Sequence, residues 1–118
     1  MIERLMARSA ALRRTGAAAA LALLATAVGA VAAHQYLVSQ AGRNFNPGEL
    51  TIARGEAIEI VNDDGDLLHH AYIDSDKMSF DSGDQKPGSR TRIVFPAAGD
   101  FNVLCAIHPK MKLVVHVR

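Results

Sequence analysis

The sequence predicts an all-β fold, a small antiparallel sandwich or barrel, for the part of the chain that follows residue 33. From residue 35 onward, short runs alternate apolar and polar residues, and Gly, Pro, Asn and Asp separate these runs. No segment of this part shows the 3.6-residue period that an amphipathic helix requires. About seven or eight short strands in about 85 residues indicate one small domain with a modest core.

The predicted strands alternate with turns rich in residues that favour chain reversal. In chain order, we expect strands at 35–39, 49–53, 56–62, 67–74, 90–95, 101–105 and 112–117. Turns are expected at 44–48, 54–55 and 96–100, and a cluster of Asp residues predicts another at 62–66. Segment 74–89 is polar, and we expect it to be irregular as far as the closing Pro87-Gly88.

The first third of the chain has the layout of an export signal. Four arginines and only one acid precede residue 15, and an uncharged run rich in Ala and Leu extends from 16 to 33. This run ends in small residues, as a cleavage site does. We therefore expect a signal peptide at 1–33, cleaved before Ala33 or His34, and a periplasmic or otherwise exported domain at 34–118. The alternative is an uncleaved anchor that holds the domain outside the cytoplasm, since the run is about the minimum length that spans a membrane.

Charge and cysteine content restrict the possible partners of the domain. Residues 34–118 contain nine Lys and Arg against eleven Asp and Glu, a formal net charge of −2. Without a basic patch, we expect no binding to nucleic acid. Cys105 is the single cysteine of the chain, so it is free, pairs between chains or binds a ligand. We expect a monomer.

Three potential metal ligands lie in one short segment between the last two predicted strands. Cys105, His108 and Met111 are spaced at i, i+3 and i+6. Thiolate and thioether sulfurs favour Cu(I), and imidazole accepts both copper oxidation states. The segment must reverse the chain, so its side chains are expected at one end of the sandwich. The alternative reading makes Cys105 a small buried apolar residue, His108 a surface residue and Met111 part of the core.

The fourth ligand is expected from the predicted strand 67–74, which contains His69 and His70. Side chains alternate between the two faces of an extended chain. His69 shares the more apolar face with the residues at 71 and 73, so we favour His69 and keep His70 as the alternative. His116 is expected to be an ordinary strand residue. A processed N-terminal His34 could chelate copper through its amine and its imidazole, but it would need a further partner.

These residues resemble a known family, the blue-copper cupredoxins, and especially its small amicyanin-like and plastocyanin-like bacterial members. The resemblance rests on Cys105-x-x-His108-x-x-Met111 before a terminal strand, and on an upstream His after an Asp-rich turn. Further similarity lies in Phe80-x-x-Gly83-x-Gln85-Lys86-Pro87-Gly88 and Ala106-Ile107-His108-Pro109. The resemblance implies a Greek-key β-sandwich and one mononuclear Cu(I)/Cu(II) ion held by His69, Cys105, His108 and Met111. In that family the first His is usually followed by Asn, whereas here His70 takes the Asn position.

The expected function is that of an exported electron carrier without enzymatic activity. A redox protein, a cytochrome or a dehydrogenase, would dock transiently near His108, between Ile107 and Pro109. Acidic residues could steer a basic partner or could simply form a solvated surface: Asp63, Asp64, Asp66, Asp74, Asp76, Asp81 and Asp84. The main alternative is a periplasmic copper chaperone or storage protein that uses the same ligands. A Cys–His hydrolase is disfavoured because no oxyanion motif is evident and so small a β domain offers little cleft.

Overall fold

The computed structural model describes residues 35–118, and the structural statements below concern that part of the chain. The expected signal peptide, its cleavage site and His34 lie outside the described residues. Within them, no helix is long and apolar enough to cross a membrane.

Nine strands form the described domain, and no helix accompanies them. They are β1 (Gln35–Ala41), β2 (Asn44–Asn46), β3 (Glu49–Ile52), β4 (Ala57–Asn62), β5 (Ala71–Asp74), β6 (Ser79–Asp81), β7 (Arg90–Val94), β8 (Gly99–Cys105) and β9 (Lys112–Val117). One sheet has the order β2-β1-β4-β7, and the other has the order β3-β9-β8-β5-β6. The prediction of an all-β sandwich is confirmed.

Five of the seven strand pairings in the described domain are antiparallel and two are parallel, so both sheets of the predicted sandwich are mixed. β1 pairs with β4 in parallel, and β3 pairs with β9 in parallel. The chain crosses from one sheet to the other between β2 and β3. Strands that are joined by such a crossing, and not by a hairpin, can pair with their neighbours in either direction. The alternation of apolar residues shows which side chains face the core, but it does not show which strands are neighbours.

Two short strands lie where turns or irregular chain were expected. β2 occupies part of the predicted turn 44–48, and its central Phe45 is buried opposite Gln40 of β1. β6 lies in the segment 74–89 and pairs with β5. Three residues are too few to establish a two-residue period, so the sequence pattern does not reveal such strands.

A core of aliphatic and aromatic side chains fills the space between the sheets. Its fully buried members include Val38, Ile58, Ile60, Ile93, Phe95, Val103, Leu113, Val115 and Val117. Phe95 contacts Phe101, with 5.7 Å between ring centroids. Each such side chain stabilises the fold by roughly 1.5–3 kcal/mol relative to exposure. The strands therefore form a firm support for the loops at either end.

Pairing of three strands brings the predicted ligands to one end of this core. β8 ends at Cys105, and β9 begins at Lys112, where it pairs with Leu104. β5 begins at Ala71, which lies directly opposite Cys105. The two histidines before Ala71 and the loop after Cys105 are thus neighbours although about 35 residues separate them along the chain.

Candidate metal centre

The loop between β8 and β9 is a compact turn that buries both of its sulfur atoms. Cys105 and Met111 are only 2% and 1% exposed. The Met111 N–H donates to the His108 carbonyl over 2.9 Å and closes the turn. The Ala106 N–H donates to the His70 carbonyl over 2.9 Å, which ties this loop to the segment before β5.

His69 lies beside the cysteine and the loop histidine. Its side chain is fully buried, and its Nδ1 atom is 3.8 Å from Cys105 Sγ. The rings of His69 and His108 meet edge to face, with centroids 5.0 Å apart. A nitrogen and a sulfur that share one first-row metal ion lie about 3.6–3.8 Å apart, given typical bond lengths and trigonal to tetrahedral angles. The spacing of Nδ1 and Sγ therefore suits two ligands of one ion.

His108 has a buried ring nitrogen, Nε2, without a hydrogen-bond partner among the described residues. Leaving a buried polar atom unpaired costs about 1–3 kcal/mol, so such atoms usually mark a function or a missing ligand. No group of three His, Cys, Asp or Glu side chains in residues 35–118 already surrounds a point where a metal could sit. Cys105, His69 and His108 are thus neighbours, but their side chains do not surround a common point.

Asp64 orients the His69 ring. His69 Nε2 lies 2.7 Å from Asp64 Oδ2, and an ionised carboxylate only accepts hydrogen bonds. His69 therefore carries its proton on Nε2, which leaves Nδ1 unprotonated on the side of Cys105. Burial raises the pKa of Asp64, but hydrogen bonds from His69 and from the amides of Gly42 and Arg43 outweigh it, and the pKa lies below its ordinary value. Asp64 is consequently ionised at neutral pH.

A cluster of buried amides fixes the backbone of His69. Two backbone hydrogen bonds of 3.1 Å and 2.7 Å join His69 to Gln85. The Gln85 carbonyl accepts from Asn62 Nδ2 at 2.9 Å, and the Gln85 side chain accepts from Gln40 Nε2 at 2.8 Å and donates to Thr91 Oγ1 at 2.9 Å. Gln40, Asn62 and Thr91 belong to strands β1, β4 and β7, so the sheet fixes Gln85, and Gln85 fixes the backbone of His69.

His70, the alternative ligand, points away from this cluster. Its Nε2 atom is 2.6 Å from Asp81 Oδ1, and its Nδ1 atom is 3.8 Å from Asp84 Oδ1. Only its backbone reaches the sulfur, since the His70 N–H donates to Cys105 Sγ over 3.4 Å. His69, and not His70, has its side chain beside Cys105, and the choice of His69 as the ligand stays a prediction. An N–H directed at a thiolate stabilises its negative charge.

His116 lies at the other end of the sheet. It bridges Glu49 and Asp100, which are 2.5 Å and 2.8 Å from its two ring nitrogens. Asp100 stands near the start of β8, whereas Cys105 ends that strand. His116 therefore takes no part in the candidate centre, as expected.

Sequence reasoning identified the four candidate ligands but missed the residues that position them. Asp64 was interpreted as a turn residue and as a surface acid, not as the hydrogen-bond partner of His69. Gln40 gave no local signal and Gln85 was noted only within the motif at 80–88, because their contact joins positions 45 residues apart.

Comparison with known proteins identifies the fold. No family model matches the chain, and no curated protein matches it. Among solved structures, a copper-containing nitrite reductase from Thermus scotoductus is 30% identical, with a TM-score of 0.69 over 80% of this chain. The chain spans only 25% of that enzyme's length.

Two smaller proteins match over most of their own length. A reduced form of an amicyanin variant is 21% identical, with a TM-score of 0.66, and the match covers 75% of this chain and 86% of amicyanin. A purple cupredoxin from Nitrosopumilus maritimus is 22% identical, with a TM-score of 0.62, over 70% of this chain and 99% of its own. Residues 35–118 therefore have the cupredoxin-like, blue-copper type of β-sandwich fold.

Proposed function

We propose that this chain is an exported mononuclear copper protein that carries single electrons between redox partners. The observation that carries the proposal is the buried pair of Cys105 Sγ and His69 Nδ1, 3.8 Å apart, beside the unpartnered Nε2 of His108. One thiolate, two imidazoles and a thioether suit copper in both of its oxidation states. The similarity to amicyanin, including a Cu(I) form of an amicyanin variant, supports copper as the metal.

The bound copper would supply the one-electron chemistry, and the chain's own residues would hold the site constant during transfer. The carboxylate of Asp64 and the backbone of Gln85 fix His69. The His70 N–H fixes the sulfur of Cys105. Met111 is packed in the apolar core, and its thioether would be a weak, soft ligand to the copper. Because these supports are rigid, a change of charge at the centre requires little rearrangement.

Access to the centre would pass through His108. Its neighbour Ile107 is 41% exposed, and the segment 107–111 lines a surface groove of about 400 Å³ together with Arg43 and Asn44. A redox partner that docks in this groove would contact the loop that contains three of the four ligands. Contacts of this type are small and short-lived.

The proposal includes no enzymatic step. The nitrite reductase matches this chain over a quarter of its own length, so the activity of the whole enzyme is not transferred to the present chain. Export is proposed from the basic and apolar layout of residues 1–33 alone.

Spectra of the copper-loaded domain 34–118 test this function. We expect intense visible absorption from thiolate-to-Cu(II) charge transfer and a characteristic EPR spectrum, both abolished in Cys105→Ser. His69→Gln should alter them strongly, whereas the matched variant His116→Gln, at the far end of the sheet, should leave them unchanged. A pale complex with readily exchanged Cu(I) would favour a chaperone or storage role instead. Strong colour that survives in Cys105→Ser would refute the proposed centre.

A further inference from the structure

The groove beside His108 carries positive charge and no negative charge. Its lining consists of residues 107–111 with Arg43 and Asn44, which includes Arg43 and Lys110 but no Asp or Glu. The apolar part of the lining comes from Ile107, Pro109 and Met111. This composition contrasts with the described domain as a whole, whose formal net charge is −2.

Arg43 is held at the groove by the carboxylate that orients His69. Arg43 has φ of 59°, in the left-handed region that residues with a side chain rarely adopt. Its N–H and that of Gly42 donate to Asp64 at 3.2 Å and 2.7 Å, and Asp64 also accepts from His69. Gly42 and Arg43 both have positive φ because they form the two-residue turn that joins β1 and β2. The turn that presents Arg43 is thus built onto the candidate centre.

Several acidic residues form a separate surface. Asp74 and Asp81 line a second groove, along β5 and β6, that contains no Lys or Arg. Asp84 lies near His70, on the same side as Asp81. Asp64 is close to Arg43, but it accepts three N–H groups and does not line the groove at His108. None of the predicted acidic residues lines the groove at His108.

We propose that the groove at His108 docks a redox protein whose contact surface carries carboxylates, placed to meet Arg43 and Lys110. The apolar lining would exclude water at the centre of the contact, and the two cations would select the partner at its edge. This inference rests on the proposed function, because it concerns the entry of electrons at the same site. The two residues affect the encounter with the partner and not the metal ligands.

Small redox probes of opposite charge test the proposal without a known partner. The reduced copper protein transfers one electron to hexacyanoferrate(III), which becomes hexacyanoferrate(II), or to tris(phenanthroline)cobalt(III), which becomes the cobalt(II) complex. Stopped-flow rates are measured for both probes at low and high ionic strength. At about 10 mM salt, the screening length is about 30 Å, so a charge at the groove acts on a nearby probe.

The variants Arg43→Gln and Lys110→Gln should each slow oxidation by hexacyanoferrate. One unit charge about 8 Å from a trivalent anion changes the local probe concentration by about 5- to 10-fold at low salt. We expect this loss to fall below about 2-fold near 1 M salt, where the screening length is about 3 Å. The cobalt probe should react at least as fast with these variants as with the wild type. Arg43→Lys, which keeps the charge, should retain most of the rate.

Lys77→Gln is the matched control, because Lys77 Nζ donates to the Ala98 carbonyl at the end of β8 that is remote from Cys105. It removes one charge and should change the hexacyanoferrate rate much less than the groove variants. Equal effects of Lys77→Gln and Lys110→Gln on the hexacyanoferrate rate would overturn the docking proposal. It would also be overturned if the wild type reacted faster with the cobalt complex than with hexacyanoferrate and salt slowed the cobalt reaction, which would indicate a basic partner. If the wild type lacks the thiolate-to-copper absorption, the proposed function itself fails. If that absorption is present but Arg43→Gln and Lys110→Gln leave the hexacyanoferrate rate unchanged, only the docking proposal fails.

Discussion

Replacement of Asp64 by Asn tests how the His69 ring is controlled. In the wild type, the Asp64 carboxylate accepts a hydrogen bond from His69 Nε2–H at 2.7 Å, and the aspartate side chain is 12% exposed. An Asn side chain can place its NH₂ group opposite Nε2, and the ring must then move its proton to Nδ1 to remain hydrogen-bonded. Nδ1 is the nitrogen that lies 3.8 Å from Cys105 Sγ, so its lone pair would no longer be available to a metal.

The expected size of the effect separates metal binding from folding. Loss of a partner that orients a metal-binding His typically lowers metal affinity by about 10- to 100-fold. Asp64→Ala removes the partner and should lower the free energy of unfolding of the metal-free protein by about 1.5–3 kcal/mol, the value of a hydrogen bond to a charged group. Asp64→Asn should destabilise less, because its amide still fills the space and bonds to the ring.

Copper competition assays and urea unfolding measure these two quantities, and ¹⁵N NMR reports which ring nitrogen of His69 carries the proton. We expect Asp64→Asn to weaken copper binding at least 10-fold with Nδ1 protonated in the metal-free form. Wild-type copper affinity together with an Nε2-protonated ring in Asp64→Asn would refute the argument for control of the tautomer.

Three further predictions concern the core, the remote histidine and the sulfur. Phe95→Ala should lower the free energy of unfolding by about 3–5 kcal/mol in urea titrations, because Phe95 is fully buried; a loss below about 1 kcal/mol would contradict its place in the core. Hydrogen bonds from His116 to the carboxylates of Glu49 first, then Asp100, raise the pKa of His116 above 6.5, so its stabilising effect is present below that pH and is lost as the pH rises through the raised value. The melting temperature of His116→Gln should therefore fall below that of the wild type at pH 5–6 and approach it as the pH rises through the raised pKa; a constant difference would contradict the linkage. His70→Ala should leave copper bound and the reduction potential measured by voltammetry nearly unchanged, because the N–H that donates to Cys105 Sγ belongs to the backbone and remains; loss of copper in this variant would show that the His70 imidazole is a ligand.

Local patterns in the sequence predicted seven of the nine strands of the described domain, although the strand expected at 67–74 is shorter and begins at Ala71. The alternation along 67–74 placed His69, Ala71 and Ile73 on one side, and all three are buried, whereas Asp74 is exposed. The spacing of Cys105 and His108 predicted a ligand loop, and in the structure the side chains of both residues lie next to His69. These features follow from neighbours along the chain, which is why a sequence shows them.

Features that depend on distant contacts were not predicted. The parallel pairing of β1 with β4 depends on where the chain crosses between sheets, and no residue pattern records that crossing. The support of His69 by Gln85, and of Gln85 by Gln40, joins three separate segments of the chain. Polar residues in such positions look like surface residues until the fold shows that they are buried.

The most direct test is a crystal structure of the copper-loaded domain together with copper X-ray absorption in solution. Our account predicts one copper ion bonded to the sulfur of residue 105 and to one nitrogen each of His69 and His108 at about 2.0–2.3 Å, with the Met111 sulfur at a longer distance. An ion bound instead by His116 and its carboxylates, or by His70 with Asp81, with no bond to the cysteine sulfur, would contradict it.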